Sequence, residues 1–427
     1  PFIDVVSANL NASQALTIGS GVTVHTSAAG GQYSFIEANS TVINQGTIAA
    51  DAAGSRVNVT GNGLTNNGTL AVSNGGTLNL AGTHSTDQFG TLRNDGGTIV
   101  LSGTLENTGA ILDLNAVTGV LTLAGGTITG GTISANAGAG LEVMTAGRGQ
   151  LSGVTLKTDV TVNDRALLTV QNGLTLADGH KVNLNGTSGH TVLSFEGDSQ
   201  TLGGDGEIVF AGPFIDVVSA NLNASQALTI SSGITVHSGA GGYNGTIEAN
   251  SAIINEGTIS ADAAGKSISI TGAGVTNSGR IEAAAGTISV SAASFRNDGI
   301  FSVLSGATAT VSTIVNSGTI DVQAGSLFNV TNSFINNING SVQIGIAGSE
   351  TSAFGRLSVS GELYLDGTIK LWLAGNYVPP LGEAFRVMTY GSRIGNFSVL
   401  QDLDAGDGVT YHAVYNPTDL SLLVVPG

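Results

Sequence analysis

The 427-residue sequence contains no cysteine, only 6 prolines, and charged residues at just 10% of positions. Without cysteine there are no disulfides, no thiol nucleophile and no thiolate metal ligand. No apolar run approaches the ~20 residues that a membrane-spanning helix needs. Aromatic residues make up 5% of the chain, which fits a core too thin for large rings. The sequence therefore predicts neither a disulfide scaffold nor a transmembrane helix.

Basic residues are scarce as well. Lys and Arg number 13 against 30 Asp and Glu, so the formal net charge is −17. A surface of this sign repels phosphate backbones, and we expect no nucleic-acid partner. The glycine-rich runs lack the Lys-Ser/Thr that a nucleotide loop requires. Because many exported bacterial proteins are poor in cysteine, we predict a secreted or cell-surface location.

Glycine is abundant, at 64 residues, beside many Val, Ile, Leu, Ala, Thr, Ser and Asn. This mixture is typical of short strands separated by tight turns. The glycines show no every-third-residue period, which excludes collagen. No segment with a helical period extends beyond a turn or two. The sequence therefore predicts an all-β protein.

A long internal repeat divides the chain. PFIDVVSANLNASQALTI begins at Pro1 and recurs, letter for letter, from Pro213. The two copies continue with substitutions, so that LTNNGTL from Leu64 corresponds to VTNSGRI from Val275. We predict a first long repeat over 1–212, a second, partial one over 213–346, and a C-terminal β cap over 347–427.

A shorter repeat of about 20 residues lies within the long one, and its signature is Asn-x-Gly followed by an apolar strand. Recurrence at this period indicates a solenoid. We therefore predict a parallel β-helix with ~20-residue coils, in which Asn and Gly form a ladder at the corners and take positive φ there. The predicted ladder comprises Asn44 and Gly46, Asn66 and Gly68, Asn107 and Gly109, Asn255 and Gly257, Asn277 and Gly279, Asn297 and Gly299, and Asn316 and Gly318.

Within a coil, apolar and small polar residues alternate. In the stretch 294–312 this alternation places Phe301 and Val303 on one face and Ala309 and Val311 on another. Stacking such coils pairs each strand with its counterpart in the next coil, giving parallel sheets around an aliphatic core. A β-sandwich array is the alternative, but it needs longer, hairpin-linked strands.

The composition changes from about Arg356 onward. This tail contains the only tryptophan, Trp372, and Tyr364, Tyr377, Tyr390 and Tyr411. Longer strands and larger rings predict a module that covers the last coil, since an open coil end offers unpaired backbone groups to other chains.

The Asn-x-Gly-Thr-Ile coils resemble those of large exported bacterial β-helix proteins of the filamentous-haemagglutinin and autotransporter-passenger type. The tail, with GELYLDGTIKLWLAGNYVPPLGEAFRVMTYGSRIGNFSVL, is similar to the segment that ends many such passengers. The family includes adhesins, cytolysins, proteases and inert stalks. The resemblance implies a surface protein acting in adhesion, or one that self-associates into fibres or a sheath, with extracellular polymers or glycans as further partners.

A polysaccharide-binding or polysaccharide-degrading β-helix, similar to a tailspike or lyase, is the alternative function. Such enzymes place two or three carboxylates across neighbouring strands. The clearest acidic group lies in turn-like contexts, where solvated charges are expected. Asp51 and Asp262 occupy duplicated turns, and His25 and His237 are copies of each other. We predict no catalytic residue and no enzyme activity. The acidic group comprises Glu196, Asp198, Asp205 and Glu207.

One stretch is a weak calcium candidate. Asp402, Asp404 and Asp407 have spacings loosely like those of a calcium loop, but Ala413 stands where the bidentate Glu would be. An ordinary acidic turn is the competing interpretation. No other metal or cofactor is predicted.

Overall fold

The structure is a computed structural model that describes residues 3–11, 13–26, 31, 33–61, 63–136, 138–223, 225–239, 244–375, 377–406 and 408–427. The chain divides into two compact units, Pro1–Glu196 and Gly197–Gly427. Apart from one 3-10 turn at Thr86–Gln88, the described elements are strands.

The strands that begin in the first unit are short, mostly of three to six residues. They are β1 Ile3–Ala8, β2 Ala15–Ile18, β3 Thr23–His25, β4 Tyr33–Ala38, β5 Thr41–Asn44, β6 Thr47–Ala50, β7 Arg56–Gly61, β8 Leu64–Asn66, β9 Thr69–Ser73, β10 Thr77–Ser85, β11 Thr91–Asp95, β12 Thr98–Leu101, β13 Thr104–Glu106, β14 Ile111–Leu114, β15 Val120–Leu123, β16 Thr127–Thr129, β17 Thr132–Ala135, β18 Gly140–Val143, β19 Arg148–Lys157, β20 Val160–Val162, β21 Leu167–Leu184 and β22 Thr191–Gly197.

The second unit continues in the same manner and ends with longer strands. They are β23 Gln200–Phe210, β24 Asp216–Leu222, β25 Ala227–Ile230, β26 Gly233–His237, β27 Gly245–Ala249, β28 Ala252–Asn255, β29 Thr258–Ala261, β30 Ser267–Gly272, β31 Gly274–Asn277, β32 Arg280–Ala283, β33 Thr287–Ala292, β34 Phe295–Asn297, β35 Ile300–Val303, β36 Thr308–Val311, β37 Ile314–Asn316, β38 Thr319–Val322, β39 Leu327–Val330, β40 Phe334–Asn336, β41 Ser341–Ile346, β42 Arg356–Leu365, β43 Thr368–Leu373, β44 Ala384–Gly395, β45 Val399–Gln401, β46 Asp404–Gly406, β47 Val409–Tyr415 and β48 Asp419–Pro426.

Most of the described strands pair in parallel with a strand one coil later. In the first unit Leu78 pairs with Ile99, and Ile99 pairs with Leu121. In the second unit β28, β29 and β30 pair with β31, β32 and β33, so each coil adds a strand to three parallel stacks. The predicted parallel β-helix is confirmed, and its coils average about 22 residues.

The core consists of columns of aliphatic side chains, one residue from each coil. Ile281, Phe301 and Ile320 follow one another in register, and all three are fully buried. Val303, Ala309 and Val311 are buried too, as the period-2 alternation predicts. Full burial of one Val, Leu or Ile side chain contributes roughly 1.5–3 kcal/mol, so the columns are the main stabilising feature of the coils.

The last strands change direction. β48 runs antiparallel to both β44 and β47, whereas the preceding coils are parallel. Phe385 lies edge-on to Phe354 and Tyr411, with ring centroids 5.5 and 5.8 Å apart. The guanidinium of Arg393, which is in register with the buried Leu363, lies 4.8 Å from the centre of the Tyr415 ring. Aromatic and cation–π contacts therefore add to the aliphatic core at this end.

No helix among the described residues has the length and apolarity needed to cross a membrane.

Candidate functional site

The ladder asparagines point into the solenoid. All seven predicted members are buried, with at most 3% of their surface exposed. In the second unit each amide nitrogen donates to the amide oxygen of the next asparagine, over 2.8 Å from Asn255 to Asn277, 2.7 Å from Asn277 to Asn297 and 2.8 Å from Asn297 to Asn316. The chain of bonds continues over 2.7 Å to Asn336. The predicted ladder ended at Asn316, so Asn336 extends it by one coil.

The ladder is shorter in the first unit. Asn44 donates to Asn66 over 2.7 Å, but Asn66 then donates to the backbone carbonyl of Phe89. Asn107 likewise donates to backbone carbonyls, those of Gly130 and Thr132. An amide that finds no asparagine in the next coil therefore satisfies its donor with main-chain oxygen.

The ladder glycines are required for a reason other than the predicted one. Gly109 alone among the seven has a positive φ, of 74°. A Cβ on Gly68 would overlap the carbonyl oxygen of Gly46 in the preceding coil, and a Cβ on Gly318 would overlap that of Gly299. The expectation of positive-φ corners is thus wrong for the six ladder glycines other than Gly109. Glycine stands at those six positions because successive corners stack too closely for a side chain.

A histidine joins three coils in the second unit. His237 Nδ1 lies 2.7 Å from Asp262 Oδ2, and its Nε2 lies 3.2 Å from Glu207 Oε2. The imidazole is only 17% exposed. The imidazole therefore links Glu207, in the coil before His237, to Asp262, in the coil after it.

The corresponding group in the first unit is weaker. His25 Nδ1 lies 3.2 Å from Asp51 Oδ2, and that imidazole is 56% exposed. Sequence reasoning assigned Asp51 and Asp262 to solvated turns and missed both pairs. The joint duplication of His25 with Asp51 and of His237 with Asp262 was the signal that could have found them.

Asp164 organises a loop in the first unit. Its Oδ1 accepts hydrogen bonds from the backbone N–H groups of Thr187, Ser188 and Gly189, at 2.7, 2.7 and 3.1 Å. The Ser188 hydroxyl donates to Oδ2. The Ser188 hydroxyl first, and then these N–H groups, hold the pKa of the Asp164 carboxyl well below its usual range. Asp164 is therefore an ionised anchor for the loop.

Two of the three calcium candidates, Asp402 and Asp404, make other contacts. Asp402 lies 3.4 Å from Lys370 Nζ, and Asp404 accepts a hydrogen bond from the N–H of Gly406. Asp407 lies outside the described residues. Within the described part of the chain, no group of three or more His, Asp or Glu side chains could hold a metal ion.

An open cleft of about 590 Å3 lies at one corner of the second unit. We call it the corner cleft. At the corner 316–318 one residue separates the ladder asparagine from its glycine, whereas at 336–340 three residues do so. Thr319 and Ser341 remain paired, so the two extra residues are accommodated outside the coil. As a result Ile338 is 70% exposed and forms one wall.

The floor and second wall of the cleft come from an outward-facing apolar column. Ile335 is in register with Tyr364, and Tyr364 with Ile394. These side chains face outward because their strand neighbours Leu363 and Leu365 are buried in the core. Ile394 is 51% exposed. On a surface otherwise rich in Thr, Ser and Asn, this column is a distinct apolar patch.

Polar groups flank the apolar patch. Asp366 Oδ1 accepts hydrogen bonds from the Ser398 hydroxyl and the Gly367 N–H, which hold the pKa of the carboxyl below its usual range. Asn337 donates to Ser317 Oγ over 2.9 Å. No donor among the described residues reaches Asp366 Oδ2, and the Asn339 amide is exposed. The cleft thus combines an aromatic and aliphatic surface with unused acceptors.

No protein-family model matches the chain, and no curated protein is significantly similar to it.

The first strand presents a second exposed surface. Val6 is in register with Ile36 in the core column of the first unit, yet Val6 is 39% exposed and Ile36 is fully buried. In the identical segment of the second unit, the equivalent residue Val218 is 1% exposed. The same apolar strand is therefore open in one unit and covered in the other.

Proposed function

We propose that the protein is a non-enzymatic extracellular structural protein, a β-solenoid that mediates adhesion or assembles into fibres or a sheath. The observation that carries this proposal is the duplication of entire coils, including their corners and core columns. A catalytic site requires a local asymmetry, whereas a scaffold gains surface from each added coil. The resemblance to exported bacterial β-helix proteins and the cysteine-free, acidic composition support a location outside the cell.

Electron microscopy of the purified chain over a concentration series tests the proposal. Ordered fibres or lattices with a constant repeat would support assembly as the function. Separate particles at every concentration would reject the assembly version and leave adhesion to be tested by a cell- and glycan-binding screen. Turnover of a polysaccharide by the purified chain would reject the non-enzymatic proposal itself.

A further inference from the structure

We propose that the corner cleft, formed by Ile338, Tyr364, Ile394, Asp366, Asn337 and Asn339, binds a segment of a neutral polysaccharide. This inference rests on the adhesive version of the proposed function and names the class of its ligand. It goes beyond that version because it assigns binding to one corner rather than to the repeated faces.

The apolar part of the cleft suits a sugar ring. A pyranose presents C–H groups on its flat faces and hydroxyls around its rim. Tyr364, between Ile335 and Ile394 in register, offers a flat aromatic and aliphatic surface for such a face. The Tyr364 hydroxyl donates to Glu362 Oε2 over 2.6 Å, which fixes the position of the ring. Pockets of roughly 300–1,000 Å3 hold small ligands, and this cleft has about 590 Å3.

The polar part of the cleft suits the hydroxyl rim. Sugar hydroxyls are hydrogen-bond donors, and they need acceptors placed beside the apolar surface. Asp366 Oδ2 and the Asn337 amide oxygen face no donor among the described residues, and Asn339 is exposed. Asp366 is ionised, and hydrogen bonds to an ionised acceptor are the stronger kind. Ser398 and Gly367 hold the carboxylate in place through its other oxygen.

Charge selects among polysaccharides. Asp366 is a carboxylate in the cleft, Glu362 is bonded to the Tyr364 hydroxyl, and the whole chain has a formal net charge of −17. A uronic acid or sulfated sugar would therefore be repelled. The acceptors would instead bind neutral hexose or N-acetylhexosamine units.

The length of the corner loop favours a ligand over a purely structural role. The Asn-x-Gly corner at 316–318 stacks closely on its neighbour with one intervening residue. The longer corner at 336–340 keeps the same strand pairing, so its two extra residues serve no need of the coil. They place an isoleucine in water, at 70% exposure, which is unfavourable unless something covers it.

Native affinity electrophoresis of the full chain tests the proposal. The neutral probes are mannan, galactan, soluble starch and a fully N-acetylated polymer of N-acetylglucosamine, and the anionic probe is polygalacturonate. We expect at least one neutral polysaccharide to retard the chain and polygalacturonate not to do so. Ile338→Ser and Tyr364→Ala should each weaken the interaction by about tenfold or more, equivalent to about 1.4 kcal/mol. Tyr364→Phe keeps the flat ring but loses its bond to Glu362, so it should weaken binding less than Tyr364→Ala does.

Ile300→Ser is the matched control, since Ile300 is 37% exposed and is outside the cleft. Circular dichroism of each variant separates loss of binding from loss of folding. No retardation by any neutral probe, or binding to polygalacturonate alone, overturns the inference. If both cleft variants still bind a neutral polysaccharide, the binding site lies elsewhere on the chain. That outcome rejects the cleft as the binding site but not the proposed function. Fibre formation is measured separately and does not depend on these outcomes.

Discussion

An interior ladder asparagine forms hydrogen bonds in both directions along the coil stack. Asn297 Nδ2 donates to Asn316 Oδ1 and to the carbonyl of Thr319, and its own Oδ1 accepts from Asn277. An ionised aspartate has no donor, and serine has a single donor, so it could not donate to both the next side chain and a main-chain carbonyl. Asparagine is therefore suited to a corner that repeats, because an interior member is both donor and acceptor to an identical neighbour.

Replacing one ladder asparagine should destabilise the coils on either side. In Asn297→Ala the Asn316 amide oxygen loses its donor in a buried site, and an unsatisfied buried polar group costs roughly 1–3 kcal/mol. We expect the free energy of unfolding of the second unit to fall by about that amount in urea titrations. Asn329→Ala, at an outward position of β39, is the control. An equal effect of both variants would contradict the role of the ladder.

The ladder glycines make a separate prediction, tested by two nearby positions. A Cβ on Gly68 would overlap the carbonyl oxygen of Gly46, whereas a Cβ on Gly63 would have no heavy atom within 4 Å. Gly68→Ala should cost about 1–3 kcal/mol, as overpacking does. Gly63→Ala should be neutral or stabilise by up to about 1 kcal/mol. Thermal unfolding of both variants measures the difference, and a stable Gly68→Ala would refute close stacking as the cause.

At the scale of single residues, the sequence predicted which residues form the ladder better than it predicted why each of them is required. The Asn-x-Gly spacing located Asn277 and Asn297 correctly, because a repeated polar residue is visible in letters alone. The need for glycine at Gly68 was not predictable in this way, since the overlap arises only when two coils are stacked. Asn336 was not among the predicted members, because three residues rather than one separate it from Gly340.

At the scale of elements, a loop without strand pairing is held in place by hydrogen bonds to one side chain. The loop after β21 has no strand partner for Thr187, Ser188 or Gly189, and Asp164 supplies the acceptor for all three backbone N–H groups. The Asp164 side chain is only 14% exposed. Loss of its charge would leave these donors with a weaker acceptor.

The pH dependence of this anchor follows from the lowered pKa of Asp164. A carboxyl whose pKa is lower in the folded than in the unfolded chain stabilises the fold above its ordinary pKa of about 3.9. That contribution is lost as the pH falls through the folded-state value. Asp164→Asn should therefore lower the unfolding temperature at pH 7, and the difference from the unaltered chain should shrink only below about pH 4.

Asp178→Asn is the matched control for this measurement. Asp178 is 67% exposed, pairs with Lys157 over 3.4 Å and also has a positive φ. Exposed ion pairs contribute little, so its replacement should leave the unfolding temperature nearly unchanged. A difference for Asp164→Asn that is the same at pH 3 and pH 7 would contradict the ionised anchor.

The corner cleft also belongs to the element scale, and only part of it was predictable. The widened spacing from Asn336 to Gly340 is visible in the sequence. The outward column is not, because Phe334 pairs with Leu363 across a coil far longer than the repeat. The neighbours of Tyr364 are known only once that register is known.

At the scale of the whole molecule, one duplicated strand lies in two surroundings. Val218 is 1% exposed, whereas the equivalent Val6 is 39% exposed. Val218→Lys would bury a charge in the apolar core, so we expect it to lower the unfolding temperature strongly, and Val6→Lys should lower it much less. Thermal unfolding of the two variants measures the difference, and equal destabilisation by both would contradict the unequal burial of the two copies.

The solenoid itself was the most predictable feature. Parallel stacking follows from a period of about 20 residues with strands too short to form hairpin arrays, and Phe301 and Val303 are buried as their alternation predicts. The antiparallel pairing of β44 with β48 could not be predicted, because no sequence repeat covers these strands. Larger rings and longer strands indicated only that the last coils differ.

Because one strand sequence lies in two surroundings, the protein contains an internal reference for hydrogen exchange. Digestion would release peptides from Asp4–Leu10 and Asp216–Leu222 that share one sequence and one mass. After exposure to deuterated water, the open copy should have taken up label quickly and the covered copy slowly, because their burial differs. The mass envelope of that single peptide should split in two, and a single narrow envelope would show that the two copies are equally protected.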